Sequence, residues 1–141
     1  MRLRCCNIRS PTFWAHVLPS RTHSSKPRVL VADDHALMRE SVSAMLSRDF
    51  DVVAVASDGE QALAAARRTD PDVVVLDITM PGLDGFQTAR ALARSRTRAK
   101  VVFLSALDGD DYVAEAFASG GRGYVSKART PFDVVTEPLQ T

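Results

Sequence analysis

From Arg28 onward the chain alternates short apolar runs with stretches of helical periodicity, and this alternation restricts the fold more than any other feature. The runs centre near Val31, Val53, Val74, Val102 and Val125, at separations of 22, 21, 28 and 23 residues. Each step has room for one strand and one helix, the rhythm of βα units and a parallel sheet. The runs are β-branched and hardly broken by polar residues, as strands covered on both faces must be. Between them Met38, Val42 and Met45 recur at helical spacing, as do Phe86, Ala89 and Leu92, and Val113, Ala116 and Phe117. Punctuation agrees: Asp84 suits a helix N-cap, Pro81-Gly82 a tight turn, Gly120 and Gly121 a helix end, and Thr130-Pro131 the opening of another helix. With 141 residues the chain suffices for one domain with a real core. Five βα steps predict an α/β three-layer sandwich. Its fifth helix, from about Pro131 to Thr136, is short or incomplete, because Pro138 interrupts the 14 residues after Lys127.

Five side chains stand at or just past the carboxyl ends of these runs: Asp33, Asp34, Asp77, Ser105 and Lys127. If the runs are neighbouring parallel strands, these groups converge at one sheet edge, where open α/β folds bind ligands. Like charges about 4 Å apart repel by roughly 4 kcal/mol per pair at an effective dielectric near 20. Three converging carboxylates therefore need a cation, or one must hold a proton. An all-oxygen donor set without Cys or His suits Mg²⁺. The plainer alternative, that Asp33 and Asp34 only cap the first helix, stays open for that pair taken alone.

Asp77 ends its run beside a loop, Ile78-Thr79-Met80-Pro81-Gly82, as an attacking carboxylate would. A carboxylate can take a phosphoryl group as a mixed anhydride, with catalysis mostly by positioning and charge stabilisation. Lys127 offers a mobile point charge and Ser105 a hydrogen-bond donor to phosphoryl oxygens. Either alone is commonplace at a strand end; their weight comes from the set.

Four strings carry a resemblance: RVLVADDHALMRESV, VVVLDITMPGLDG, KVVFLSA and ASGGRGYVSKA. Residues 28–127 resemble the receiver domain of a bacterial two-component response regulator, closest to the NarL/FixJ subfamily, whose members usually add a C-terminal helix-turn-helix. The resemblance implies a flavodoxin-like (βα)5 fold with five parallel strands in the order 2-1-3-4-5. It implies that Asp33 and Asp34 hold Mg²⁺, that Asp77 is the phosphoacceptor, and that the backbone carbonyl of Thr79 completes the protein ligands. It assigns Ser105 and Lys127 to the phosphoryl oxygens. Tyr124 becomes the aromatic that turns inward when Ser105 moves, although an aromatic in the last strand is also ordinary core. Phosphorylation adds about two negative charges and three acceptor oxygens, a local electrostatic event that biases a two-state element. The implied partners are a histidine kinase or small phosphodonor, and a second copy or a downstream protein. The implied role is a phosphoacceptor signalling domain rather than an enzyme, at most catalysing its own phosphorylation and dephosphorylation.

The remainder of the chain departs from that pattern or is silent. Residues 1–27 contain Arg2, Arg4, Arg9, Arg21 and Lys26 and no acid, while residues 28–141 hold 13 basic and 17 acidic residues, a net of −4. The leader loosely resembles an organelle transit sequence, but Pro11, Pro19 and Pro27 break any continuous amphipathic helix. A disordered extension is the simpler expectation, leaving residues 28–141 as the receiver domain. The mildly acidic domain gives no support for direct DNA binding, and no recognition-helix pattern follows Lys127. No apolar stretch reaches the roughly 18 to 20 residues of a membrane span. Cys5 and Cys6, the two cysteines, fit a reducing, cytoplasmic setting. Ser126, where the subfamily tends to be apolar, is expected to loosen the last strand. Other readings are a truncated or inactive receiver serving only as an interaction module, an aspartate-nucleophile phosphatase, and a flavin-binding module. The phosphatase usually needs a second aspartate where Thr79 stands, and no phosphate-binding loop of Ser, Thr and Gly follows the first run for a flavin.

Overall fold

The structure, a computed structural model, describes Trp14, Val17, Leu18, residues 26–107 and residues 109–127. Among the described residues five strands, β1 (Arg28–Ala32), β2 (Asp51–Ala56), β3 (Val73–Leu76), β4 (Lys100–Ser105) and β5 (Gly121–Ser126), alternate with four helices, α1 (Ala36–Leu46), α2 (Gly59–Thr69), α3 (Gly85–Arg94) and α4 (Asp110–Ala118). The sheet is parallel throughout in the order β2-β1-β3-β4-β5. Every strand therefore points its carboxyl end to the same edge. The expected fifth helix, with its Thr130-Pro131 opening, lies outside the described residues.

The burial pattern explains the unbroken apolar runs. Leu30, Ala32, Val74, Leu76, Phe103 and Tyr124 face one side, where they join Ala62, Ala66, Ala89, Leu92 and Ala116 of α2, α3 and α4. Val29, Val31, Val73, Val75, Val102, Leu104 and Val125 face the other, with Val42 and Leu46 of α1. The central strand β3 is buried at all four positions, as a two-faced strand requires. Phe117 departs from the expected stripe: it is 39% exposed, while Ala116 beside it is buried. Helix α4 presents Val113 and Ala116 inward, so Phe117 falls one step round the helix from the sheet.

Local signals set the boundaries. Asp84 caps α3 in a full capping box: its carboxylate accepts from the Gln87 N–H at 2.8 Å, and its own N–H donates to the Gln87 side chain at 2.9 Å. Helix α1 starts from His35 with no side-chain cap, so neither Asp33 nor Asp34 serves as its N-cap. Ser126 does not break the last strand, which stays paired through Ser105 opposite Ser126.

Two residues of the leader lie inside the core. Trp14 and Val17 are helical and join the cluster on the α1 face, at 8% and 3% exposure. Leu18 packs against them from the outside.

Gly121, at the root of β5, admits no side chain. A Cβ there would stand 2.7 Å from the Phe103 ring and 2.8 Å from the Ala116 carbonyl. Gly121→Ala is expected to cost about 1–3 kcal/mol through overpacking, read as a lower Tm on thermal unfolding, and an unchanged Tm would contradict this packing.

Candidate phosphoryl and divalent-cation site

Strands β1 and β3 are neighbours in register, with Ala32 opposite Leu76, so the residues that follow them, Asp33 and Asp77, leave the sheet side by side. Backbone bonds carry the pairing one step further: the Asp33 N–H donates to the Ala56 carbonyl at 3.0 Å and the Asp77 N–H to the Ala32 carbonyl at 3.0 Å. Asp33 and Asp77 are 3% and 7% exposed, whereas Asp34 points to solvent. One carboxylate oxygen from each of Asp33, Asp34 and Asp77 lies within 4.8 Å of the others. This donor set of three hard oxygens fits a small divalent cation such as Mg²⁺.

Lys127 enters from β5. The Ser105 carbonyl accepts from its backbone N–H, which continues the β4–β5 pairing past the strand end. Its ammonium reaches Asp33 Oδ2 at 2.7 Å and Asp77 Oδ2 at 3.5 Å. Ser105 is buried, and its Oγ accepts from the Leu107 N–H at 3.1 Å. Thr79 is exposed, two residues beyond Asp77. Tyr124 is 5% exposed, and its hydroxyl donates to the Leu107 carbonyl. Its ring joins a chain of tilted aromatic contacts through Phe103, at 6.5 Å, to Phe86, at 5.6 Å from Phe103. In this structure the Tyr124 ring is thus already inside. All five residues singled out at the strand ends come together at one edge.

Three further residues, His35, Arg39 and Gly85, shape the site in ways that have no clear sequence signal. The Arg39 guanidinium, one turn into α1, donates to the Asp33 carbonyl at 2.7 Å and holds the loop that presents both acids. The His35 N–H donates to Asp33 Oδ1 at 2.9 Å, which orients that carboxylate. Gly85 lets α3 start directly behind Asp77. A Cβ there would lie 2.3 Å from the Asp77 carbonyl oxygen and 2.6 Å from Ile78 Cα. The DG pair is visible as a capping signal, but the close approach that requires glycine is a tertiary fact.

Burial pushes the Asp77 carboxyl up to about 6 from 3.8; the Lys127 ammonium opposes this rise, the Asp33 charge adds to it, and the Ile78 N–H works against it. A carboxyl whose folded pKa exceeds its unfolded value binds its proton more tightly when folded. It leaves stability untouched below about pH 4 and lowers it by up to about 3 kcal/mol as pH rises through 6.

Comparison with known proteins places these features in a family. The response regulator receiver domain family matches residues 29–137. The response regulator GacA of Pseudomonas viridiflava is 41% identical over 103 residues, covering 71% of this chain and 48% of that protein. The chain spans about half the length of the curated relatives it matches. A two-component response regulator of the LuxR family from Aurantimonas sp. SI85-9A1 superposes with a TM-score of 0.72 at 33% identity, covering 79% of this chain and 81% of that one. A chain of the CheX–CheY–BeF3–Mg²⁺ complex from Borrelia burgdorferi also reaches 0.72, at 26% identity, covering 79% of this chain and 85% of that one.

Without divalent cation, Asp77→Asn is expected to raise the Tm at neutral pH and to flatten its dependence between about pH 4 and 7, a gain of up to about 3 kcal/mol. Added Mg²⁺ should stabilise the wild type more than the variant, which keeps two of the three carboxylates. Parallel Tm-against-pH curves for the two proteins would show that Asp77 carries no such burden.

Proposed function

The chain belongs to the response regulator receiver domain family, and from that premise we propose that it accepts a phosphoryl group on Asp77 from a histidine kinase or a small phosphodonor. The observation that supports this best is the nearly buried Asp77 carboxylate, flanked by two further acids and faced by one ammonium. Asp33, Asp34, Asp77 and the Thr79 carbonyl would hold Mg²⁺, which when bound offsets the charge of the incoming phosphoryl oxygens. Support for that ion comes from the all-oxygen cluster and from a structural neighbour solved with BeF3 and Mg²⁺.

The transfer is a displacement at phosphorus. An Asp77 carboxylate oxygen forms the new P–O bond, and the bond to the donor breaks with its electron pair leaving on the phosphohistidine nitrogen or on the oxygen of an acyl phosphate. Lys127 is close enough to turn from Asp33 and Asp77 toward a phosphoryl oxygen, and the Ser105 hydroxyl can donate to another. Turning Ser105 removes the acceptor that Leu107 N–H now uses, while the Leu107 carbonyl is the partner of the Tyr124 hydroxyl. One loop residue therefore links the acceptor site to Tyr124. In our reading phosphorylation alters this Ser105–Leu107–Tyr124 linkage and re-presents the face of α4 and β5 to a second copy or another protein. The cellular setting in this reading is the cytoplasm; no helix among the described residues is long and apolar enough to cross a membrane.

Incubation of the protein with Mg²⁺ and acetyl phosphate is expected to add one phosphoryl group by intact mass. Asp77→Asn should abolish the adduct, and Lys127→Ala should slow its formation by at least about tenfold through loss of a charge-assisted contact. A folded wild type that stays unmodified, or an Asp77→Asn variant modified equally, would overturn the assignment and leave an interaction module.

A further inference from the structure

The described elements cover the two faces of the sheet unequally. Helices α2, α3 and α4 pack on the face of Leu30, Val74 and Phe103, whereas α1 is the one strand-connecting helix on the opposite face among the described residues. That opposite cluster includes Trp14 and Val17, both buried, with Leu18 packed against it. The Trp14 ring meets the Phe50 ring edge-on, with centroids 4.7 Å apart and an interplanar angle of 62°. The Leu18 N–H donates to the Trp14 carbonyl at 2.8 Å, the spacing of one helical turn. Trp14 and Val17 are three residues apart and so share one side of that turn. Phe50 stands between α1 and β2, at the amino-terminal edge of the sheet, opposite the edge that carries the carboxylates.

We propose that Trp14, Val17 and Leu18 form an intrinsic docking element of this domain. The surface made by the end of α1 and Phe50 takes apolar side chains spaced one helical turn apart, and its occupant is this part of the chain's own leader. An aromatic side chain of this kind carries about 150–250 Å² of surface, so without its occupant the face would expose an apolar patch around Phe50 and Leu46. The sequence permits such a turn: Pro11 and Pro19 bracket these residues, and proline is tolerated at a helix start and excluded from its interior. Apolar contact through Trp14, Val17 and Leu18 then tethers the basic, acid-free leader to the domain. The inference is independent of the chemistry at Asp77.

Trp14 is the single tryptophan of the chain, so its emission reports this contact alone. In the full-length protein the emission is expected to lie to the blue of that in denaturant and to be shielded from acrylamide. Val17→Asp should shift it to the red and lower the Tm by about 10 °C or more, or abolish the folded circular dichroism, because the charge would be buried in the cluster. A wild-type Trp14 quenched as freely as in denaturant would overturn the proposal. So would a Val17→Asp protein with unchanged emission and Tm. Shielding that vanishes on dilution would give the occupancy to a second copy and overturn the intramolecular assignment.

Discussion

Lys127 lies 2.7 Å from Asp33 and 3.5 Å from Asp77, one ammonium between two nearly buried carboxylates. With Asp34 adjoining, three acids face one base. At an effective dielectric near 20, each charge pair at such distances is worth roughly 4–6 kcal/mol, attractive or repulsive. The ammonium therefore holds the edge together without balancing it. The deficit falls on Asp77, whose carboxyl is pushed upward by burial and by its neighbour Asp33. A site left short of positive charge is poised for a cation, and Lys127 stays available to whatever anion arrives.

The fold supplies this imbalance by geometry. In a parallel sheet all carboxyl ends share an edge, and the order 2-1-3-4-5 puts β1 beside β3, β3 beside β4, and β4 beside β5. Asp33 and Asp77 thus leave adjacent strands, Ser105 follows on the next, and Lys127 on the one after. Asp33, Asp77 and Lys127 are each held by backbone pairing that continues past the last strand residue, from Asp33 to Ala56, Asp77 to Ala32 and Lys127 to Ser105. The acids cannot easily move apart, because the hydrogen-bonded ladder fixes their backbone. Gly85 closes the arrangement from behind by letting the capped end of α3 sit against Asp77.

Most of this is legible in the sequence. Unbroken β-branched runs ending in Asp33, Asp77 and Ser105 specify buried strands with polar tips, and the βα rhythm specifies that they run parallel. Strand order is another matter: nothing in the spacing says that β1 lies between β2 and β3, and only the resemblance to a family supplied it. Arg39 and Gly85 escaped notice because their roles depend on which backbone lies opposite. Phe117 was misplaced for a similar reason, since α4 turns Ala116 to the sheet and sends the larger side chain outward. Tyr124 is a buried ring whose hydroxyl is tied to the loop after β4.

Trp14, Val17 and Leu18 stand apart from the composition of the leader around them. Arginines, serines and prolines without acids read as a solvated extension, yet a short apolar turn within it meets Phe50. A mean over 27 residues conceals Trp14 and Val17, two side chains spaced to share one helical face and both buried in the core. Their location also matters to the far edge of the sheet. The cluster they join includes Leu104, directly before Ser105, and Val125, two residues before Lys127. Close-packed interiors transmit strain, so loosening this layer would be felt by the strands that aim both groups at Asp77. The apolar layer beneath α1 and the charge arrangement at the carboxyl edge are built on the same strands.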